Sequence, residues 1–339
     1  MYFFCTYFDQ HYLDKGLALY KSLVRHCTPF KLWILCMDET TYQTLSGMQL
    51  PHVQIISLAD FENNDPLLLA AKKNRSLIEY YFTCTPSLPD YILNHVPEVD
   101  IITYLDADLY FFSSVEPVYQ ELGAGSVLII EHRFPSFLDN LMIFGIYNVG
   151  LLSFRRDAIG FACIQLWRDR CLEWCYDRFE NGKFADQKYL DEWPDRFSGV
   201  IVLQHKGAGL APWNLANYVY SCRKTGLFID EQPIIVYHFH GLNRINRWIY
   251  DANAITYKTR IPYIVKHALY LPYINEITGI NRILDTRSDL SPVNVQSIRN
   301  ADEKRQSLRI CAYRILQKVN RPLHYLKKWL NDDLILYLR

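Results

Sequence analysis

Asp106 and Asp108 stand one residue apart in IITYLDADLYFF, residues 101–112, inside an otherwise mostly apolar and aromatic run. Side chains alternate along an extended strand, so residues at i and i+2 share a face. Two carboxylates brought together in this way repel each other unless a cation lies between them. The chemistry implied is a divalent metal site. Taken alone, an Asp-x-Asp pair is also what a solvated strand-end turn contains, and that reading prevails until other residues join it. A second candidate set, His238 and His240, closes the late apolar run PIIVYHFH at alternate positions. A lone histidine there is more often a hydrogen-bonded core residue than a ligand.

The surrounding elements must place such groups at a strand's end. Through the first third of the chain, short apolar runs alternate with amphipathic helical patterns: MYFFCTYF, LDKGLALYKSLVRH, FKLWILCM, VQIISL. This spacing predicts βαβ units, hence an α/β fold with a mostly parallel sheet flanked by helices. Ligands of such sheets collect at the carboxyl ends of the strands. IITYL is then a strand with Asp106 and Asp108 at its carboxyl end. SVLIIEH and YNVGLLSF continue the strands, RDAIGFACIQLWRDRCLEWCYDRF reads as one long helix, and PIIVYHFH reads as a late strand. A polar break, DTRSDLSPVNVQS, divides a body over 1–285 from a linker over 286–303 and a basic segment over 304–339.

Half of the 339 residues are hydrophobic and 15% aromatic, which excludes a disordered chain. No apolar stretch reaches the roughly 18–20 residues needed to span a bilayer. The start, MYFFCTYFDQHY, lacks a basic leader and a cleavage site and reads as a first buried strand, so a cytoplasmic protein is expected. The nine cysteines are odd in number and form no paired CxxC knuckles, as expected of reduced thiols. Cys171 and Cys175, one helical turn apart, read as buried helix-face thiols. The formal net charge is zero, yet residues 304–339 hold nine Lys/Arg against two Asp, leaving the body acidic. Without a basic stripe on that body, nucleic acid is not an expected partner.

YLDADLYFF is followed in order by YNVGLLSF, FADQKYLDEWP, APWN and VYHFHGLNR. Together these resemble the nucleotide-sugar glycosyltransferases of the GT-A fold, and most closely family 8, which includes glycogenin and bacterial lipopolysaccharide galactosyltransferases. The resemblance covers roughly residues 1–250. It implies that Asp106, Asp108 and His238 hold a divalent cation that bridges the donor's two phosphates. Two carboxylates and an imidazole favour Mn²⁺, with Mg²⁺ as the alternative. It also implies that Asp186 and Gln187 lie under the donor sugar, with the Gln187 amide beside the anomeric centre. Asn148 would contact sugar hydroxyls, Gly241 would admit the phosphates, and Arg244 would clamp them. Thr6, Tyr7 and Asp9 would bind the base and ribose, with Arg75 assisting. Trp213, Asn214 and His240 would line the sugar or acceptor pocket. HFHGLNR departs from the family pattern in lacking its Lys-Pro-Trp ending. Several positions also have plain structural readings: Asp186 as a helix N-terminus, Trp213 and Asn214 as a buried ring beside a turn, Arg75 as the partner of a surface acid.

The activity implied is metal-dependent transfer of a hexose, with retention, from a nucleotide-diphosphate donor, UDP by default. The acceptor would be a hydroxyl of a glycan or glycolipid, such as a lipopolysaccharide intermediate. No general base stands out, which suits retention; an inverting enzyme would recruit a carboxylate such as Asp186 or Asp191. The rival readings are a Mg²⁺-dependent phosphohydrolase with an aspartate nucleophile and a non-catalytic sugar-nucleotide or glycan-binding module. In the basic segment, Leu308, Cys311, Ile315 and Leu316, then Leu323, Leu326 and Leu330, recur at helical spacing among Lys and Arg. This predicts an amphipathic helical tail lying on an anionic membrane surface, on the inner face of the plasma membrane, or else a helix packed on the body.

Overall fold

The alternating pattern folds as βαβ units. Strand β1 (Tyr2–Phe8) leads into α1 (Leu13–His26), β2 (Phe30–Cys36), α2 (Glu39–Met48) and β3 (Val53–Ser57). This computed structural model describes residues 1–63, 65–246, 248–288 and 333–336. Contacts divide the chain into two compact units, Met1–His240 and Gly241–Arg339.

In the first unit, polar residues set where helices begin. The Asp38 carboxylate accepts the Thr41 N–H at the start of α2. After α3 (Leu58–Glu62) and α4 (Pro66–Asn74), Ser76 and Glu79 form a capping box that opens α5 (Leu77–His95). Next come β4 (Ile101–Leu105), β5 (Leu109–Phe111), α6 (Glu116–Leu122), β6 (Val127–Glu131) and β7 (Tyr147–Arg155). Asp157 caps α7 (Ala158–Glu173) by accepting the Gly160 N–H at 2.8 Å. This helix stops at Glu173, short of the run expected, so Cys175 lies beyond its end; both Cys171 and Cys175 are buried. The unit ends with α8 (Trp193–Arg196), β8 (Val200–Val202), β9 (Ala208–Leu210), the hairpin strands β10 (Tyr220–Arg223), β11 (Gly226–Ile229) and β12 (Gln232–Pro233), and β13 (Val236–His238).

Seven strands form the main sheet in the order β3-β2-β1-β4-β7-β6-β8. The neighbours β3, β2, β1 and β4 are parallel, β7 is antiparallel to both β4 and β6, and β8 is parallel to β6. The chain winds outward from β1 through β2 and β3, then returns to place β4 on the other side of β1. The carboxyl ends of β1 and β4 therefore flank a topological switch point, where ligands of open α/β sheets bind. On one face Trp167 of α7 and Trp193 of α8 pack with Phe154 of β7, all fully buried. Burial of that much apolar surface holds the sheet and thereby its edge.

A small sheet, β5-β13-β9, joins distant parts of the chain, with β13 antiparallel to β5 and parallel to β9. Its register sets His238 opposite Leu109.

In the second unit, β14 (Asn243–Arg244), β15 (Ile249–Asp251) and β16 (Leu334–Leu336) form an antiparallel sheet. A short helix, α9 (Tyr263–Val265), runs through a π turn into α10 (Leu271–Ser288), whose Thr278 hydroxyl lies 3.1 Å from that of Tyr250. The tail expected over 304–339 lies outside the described residues except at 333–336, where Leu334–Leu336 are strand and Asp333 accepts the Ala252 N–H. No helix among the described residues is long and apolar enough to cross a membrane.

Candidate metal and donor site

Strand β4 ends at Leu105, and the carboxylate pair follows in a turn closed by the Leu109 N–H donating to the Asp106 carbonyl at 3.1 Å. The two carboxylates thus converge through a turn rather than by strand alternation, a correction to the geometry expected from the spacing. The Asp106 N–H donates to the Gly150 carbonyl on β7 at 2.9 Å, which fixes the turn to the main sheet. His238 arrives on β13 through its pairing with β5, and the Phe239 N–H donates to the Asp108 carbonyl at 2.9 Å.

His238 Nε2 lies 3.0 Å from Asp108 Oδ1 and 3.7 Å from Asp106 Oδ2. One ligand atom from each of the three residues lies within 4.8 Å of the others. The Tyr104 hydroxyl donates to Asp106 Oδ1 at 2.8 Å. His238 has room because residue 150 is glycine: a Cβ there would stand 2.9 Å from His238 Nδ1 and 2.7 Å from Asn148 Oδ1.

Burial pushes the Asp108 carboxyl up, but the charge and hydrogen bond of His238, with smaller contributions from Lys15 and His240, together outweigh it and hold the group well below the usual carboxylate range. Burial likewise works to lower the His238 imidazole, and Asp108 and then Asp106 raise it. Asp106 is pushed up by burial and by the Asp108 charge, against the pull of His238. Two carboxylates with opposite tendencies, arranged around one imidazole, form a donor set of hard oxygens and a borderline nitrogen. That set fits a divalent cation, which balances the charges that a shared proton otherwise balances.

Behind this cluster lies a second buried carboxyl. Asp186 precedes a 3₁₀ turn over Gln187–Glu192, and its main-chain carbonyl accepts the Trp167 indole N–H at 2.8 Å. Burial, with Asp106 adding its charge, pushes the Asp186 carboxyl up to about 7, while the Thr85 hydroxyl and backbone N–H groups partly oppose the rise. Thr85 also lies 3.1 Å from the Tyr7 hydroxyl, and the Tyr81 hydroxyl donates to Asp9 at 3.1 Å. The end of β1, helix α5 and the Asp186 turn are thereby joined next to the carboxylate pair. The Gln187 amide Nε2 donates to the Phe144 carbonyl at 3.0 Å, and its Cγ lies 3.3 Å from where a Gly145 Cβ would stand.

The remaining sequence-derived residues are placed as follows. Thr6 is fully buried in β1. Asn148 accepts the Gly150 N–H at 2.8 Å, so its side chain turns back onto the stretch of β7 beside His238. Trp213 is buried, with its ring edge-on to His132, His238 and the exposed His240. Asn214 donates to the carbonyls of His132 and Gly209 and accepts the Ala211 N–H. Arg75 is buried over the Tyr176 ring and donates to the Leu172 and Glu173 carbonyls at the end of α7 and to the Asn74 side-chain oxygen, so none of these partners is a surface acid. Gly241 and Arg244 belong to the second unit. Gly241 has φ of 72°, with the Asn253 side chain where a Cβ would stand, and Arg244 is exposed. Sequence reasoning passed over Gly150, Tyr104 and Thr85. A glycine inside an apolar strand signals close approach by another group, which was available for Gly150; nothing local marks the other two.

A mostly parallel sheet with its switch point between β1 and β4, and an aspartate pair in the turn after β4, is the arrangement of a GT-A fold. The chain belongs to the same family as two uncharacterized proteins of Bacillus subtilis (strain 168). It is 33% identical to YfnF over 284 residues, spanning 80% of this chain and 92% of YfnF. It is 30% identical to YfnD over 274 residues, spanning 80% of this chain and 87% of YfnD. No family model matches the chain. Among solved structures, the galactosyltransferase LgtC in complex with donor and acceptor sugar analogs superposes with a TM-score of 0.50 at 16% identity, over 79% of this chain and 100% of LgtC. At that identity the likeness is one of fold.

Proposed function

We propose that the protein is a metal-dependent glycosyltransferase that moves a sugar from a nucleotide-diphosphate donor, UDP-linked by default, to a hydroxyl of a glycan or glycolipid, with retention. The observation carrying this reading is the meeting of Asp106, Asp108 and His238 at the switch-point edge. A divalent cation held there, Mn²⁺ or Mg²⁺, supplies charge stabilisation to the diphosphate as it leaves. The anomeric carbon–oxygen bond breaks with its electron pair passing to the phosphate. The acceptor oxygen bonds to the anomeric carbon on the same face, and its proton goes to the departing phosphate oxygen.

The chain's own groups position and shield this step. Tyr104 orients Asp106 through its hydroxyl, and Gly150 lets the His238 ring sit against the backbone. Because Gln187 Nε2 is engaged by the Phe144 carbonyl, the amide is fixed with its oxygen as the group to offer the sugar. The basic segment over 304–339 is read from sequence alone as a reversible anchor to an anionic membrane face, each basic residue near the surface adding about 1 kcal/mol.

Incubating the full chain with UDP- and GDP-sugars plus Mn²⁺ or Mg²⁺, without acceptor, tests the reading. Slow release of the nucleoside diphosphate and free sugar is the expected result. Release of inorganic phosphate would instead indicate a phosphohydrolase, and binding without turnover a non-catalytic module.

A further inference from the structure

Lys15 occupies the first turn of α1, the helix that leaves the carboxyl end of β1. The Gly16 position lies directly against the Phe8 ring at that same end of β1, which fixes this turn at the switch-point edge. Farther along, the helix is pinned to β5, where the Ser22 hydroxyl accepts the Phe111 N–H at 3.1 Å. Lys15 precedes Ser22 by two helical turns, about 10 Å at the α-helical rise. Asp108 precedes Phe111 by about the same distance along extended chain. The two segments leave one contact toward one edge, so Lys15 comes level with Asp108.

The Lys15 ammonium stands 3.9 Å from the centre of the Tyr12 ring, and no ion pair engages it among the described residues.

Charge balance gives that cation a purpose. Two carboxylates neutralise a divalent ion, so the filled centre is formally uncharged, whereas a nucleotide-sugar diphosphate is anionic and gains charge as it leaves. A further cation beside the diphosphate would offset that charge. We propose that Lys15 binds the diphosphate of the nucleotide donor, swinging from the Tyr12 ring to the phosphate oxygens on a four-carbon stem. This rests on the donor-site reading above and adds to it a residue from the opposite end of the unit's sequence.

Calorimetric titration of UDP and of uridine into the full chain with Mn²⁺ tests the assignment, using the wild type, Lys15→Met and Lys15→Arg. A charge-assisted contact predicts that Lys15→Met weakens UDP binding roughly ten- to a hundredfold and lessens its salt dependence. Uridine binding should stay unchanged, and Lys15→Arg should recover most of the loss. UDP binding unaltered in Lys15→Met, or UDP and uridine weakened alike, would overturn the proposal while leaving the donor site standing. A wild type that binds neither UDP nor GDP with the metal present would remove the donor reading, and this assignment with it.

Discussion

His238 and Asp108 are joined twice, once through side chains 3.0 Å apart and once through the main-chain bond from the Phe239 N–H to the Asp108 carbonyl at 2.9 Å. The second link makes the first reproducible. Strand pairing between β5 and β13 fixes both backbones, so the imidazole meets the carboxylate without a loop having to be ordered when ligand arrives. A preorganised ligand set of this kind avoids paying conformational entropy at the moment of binding.

Asp106→Ala, Asp108→Ala and His238→Ala should each abolish metal-dependent donor turnover. Their effects on the metal-free protein should differ. The Asp106 side chain is 31% exposed and that of Asp108 9%. Losing Asp108 strips the buried imidazole of its nearest counter-charge, so this variant should melt lowest of the two aspartate variants. Thermal melts and Mn²⁺ titrations check both statements; full donor turnover by Asp108→Ala in the presence of chelator would sink the metal role.

Gly150→Ala probes the cradle without touching a ligand. The new methyl would press on both His238 and Asn148, and these neighbours can yield only by rotating or by shifting backbone. Overpacking of this kind costs about 1–3 kcal/mol, and displacement of a ligand's support lowers metal affinity by roughly 10- to 100-fold. The expected result is a folded protein with weakened Mn²⁺ binding. Wild-type affinity in this variant would show that the His238 ring does not need the space.

What the sequence made legible follows the distance over which each feature is encoded. The βαβ alternation is local, and it correctly predicted the first three strands, the helix α1 and a strand ending at the carboxylate pair, though not α2. The turn that aims Asp106 and Asp108 was less legible, because alternation in LDADL suits a strand equally well; only the bond from Leu109 back to Asp106 decides it. The β5–β13 pairing joins segments more than a hundred residues apart, so no window of sequence contains it, and the motif order alone suggested His238. Arg75 illustrates the opposite limit. Its carbonyl partners at the end of α7 are main-chain groups, which carry no signature in residue type.

Asp186→Asn should change how stability depends on pH. The native carboxyl titrates near 7, well above an ordinary aspartate in the unfolded chain. Between about pH 4 and 7 the native state therefore holds more protons than the unfolded state, so stability falls as pH rises and levels off above 7. The slope from one such group reaches up to about 1.4 kcal/mol per pH unit. In chelator-treated protein, Asp186→Asn should flatten the fall in Tm between pH 5 and 7 relative to wild type. Parallel Tm profiles for the two proteins would mean that Asp186 ionises normally.

Stereochemistry separates the two ways of using the carboxyl groups near Gln187. Inversion needs a base facing the acceptor, and the candidates from sequence were Asp186 and Asp191. Asp191 accepts the Ile146 N–H at 2.8 Å and pairs with Lys188 at 2.7 Å, contacts that tie its carboxylate to the scaffold rather than to an acceptor. Asp186 titrates near 7 and so is about half ionised at neutrality, but its side chain is buried, which leaves an acceptor hydroxyl little access to it. Without a placed base, the departing diphosphate is the proton acceptor at hand, which keeps attack and departure on one face. An α-linked donor should therefore yield an α-linked product, read from the anomeric proton coupling by NMR. Gln187→Ala should lower kcat without changing that outcome, because in the proposed mechanism the amide assists at the anomeric centre and takes no proton. A β-linked product from the wild type would return the role of base to one of the two aspartates and remove the reason for emphasising Gln187.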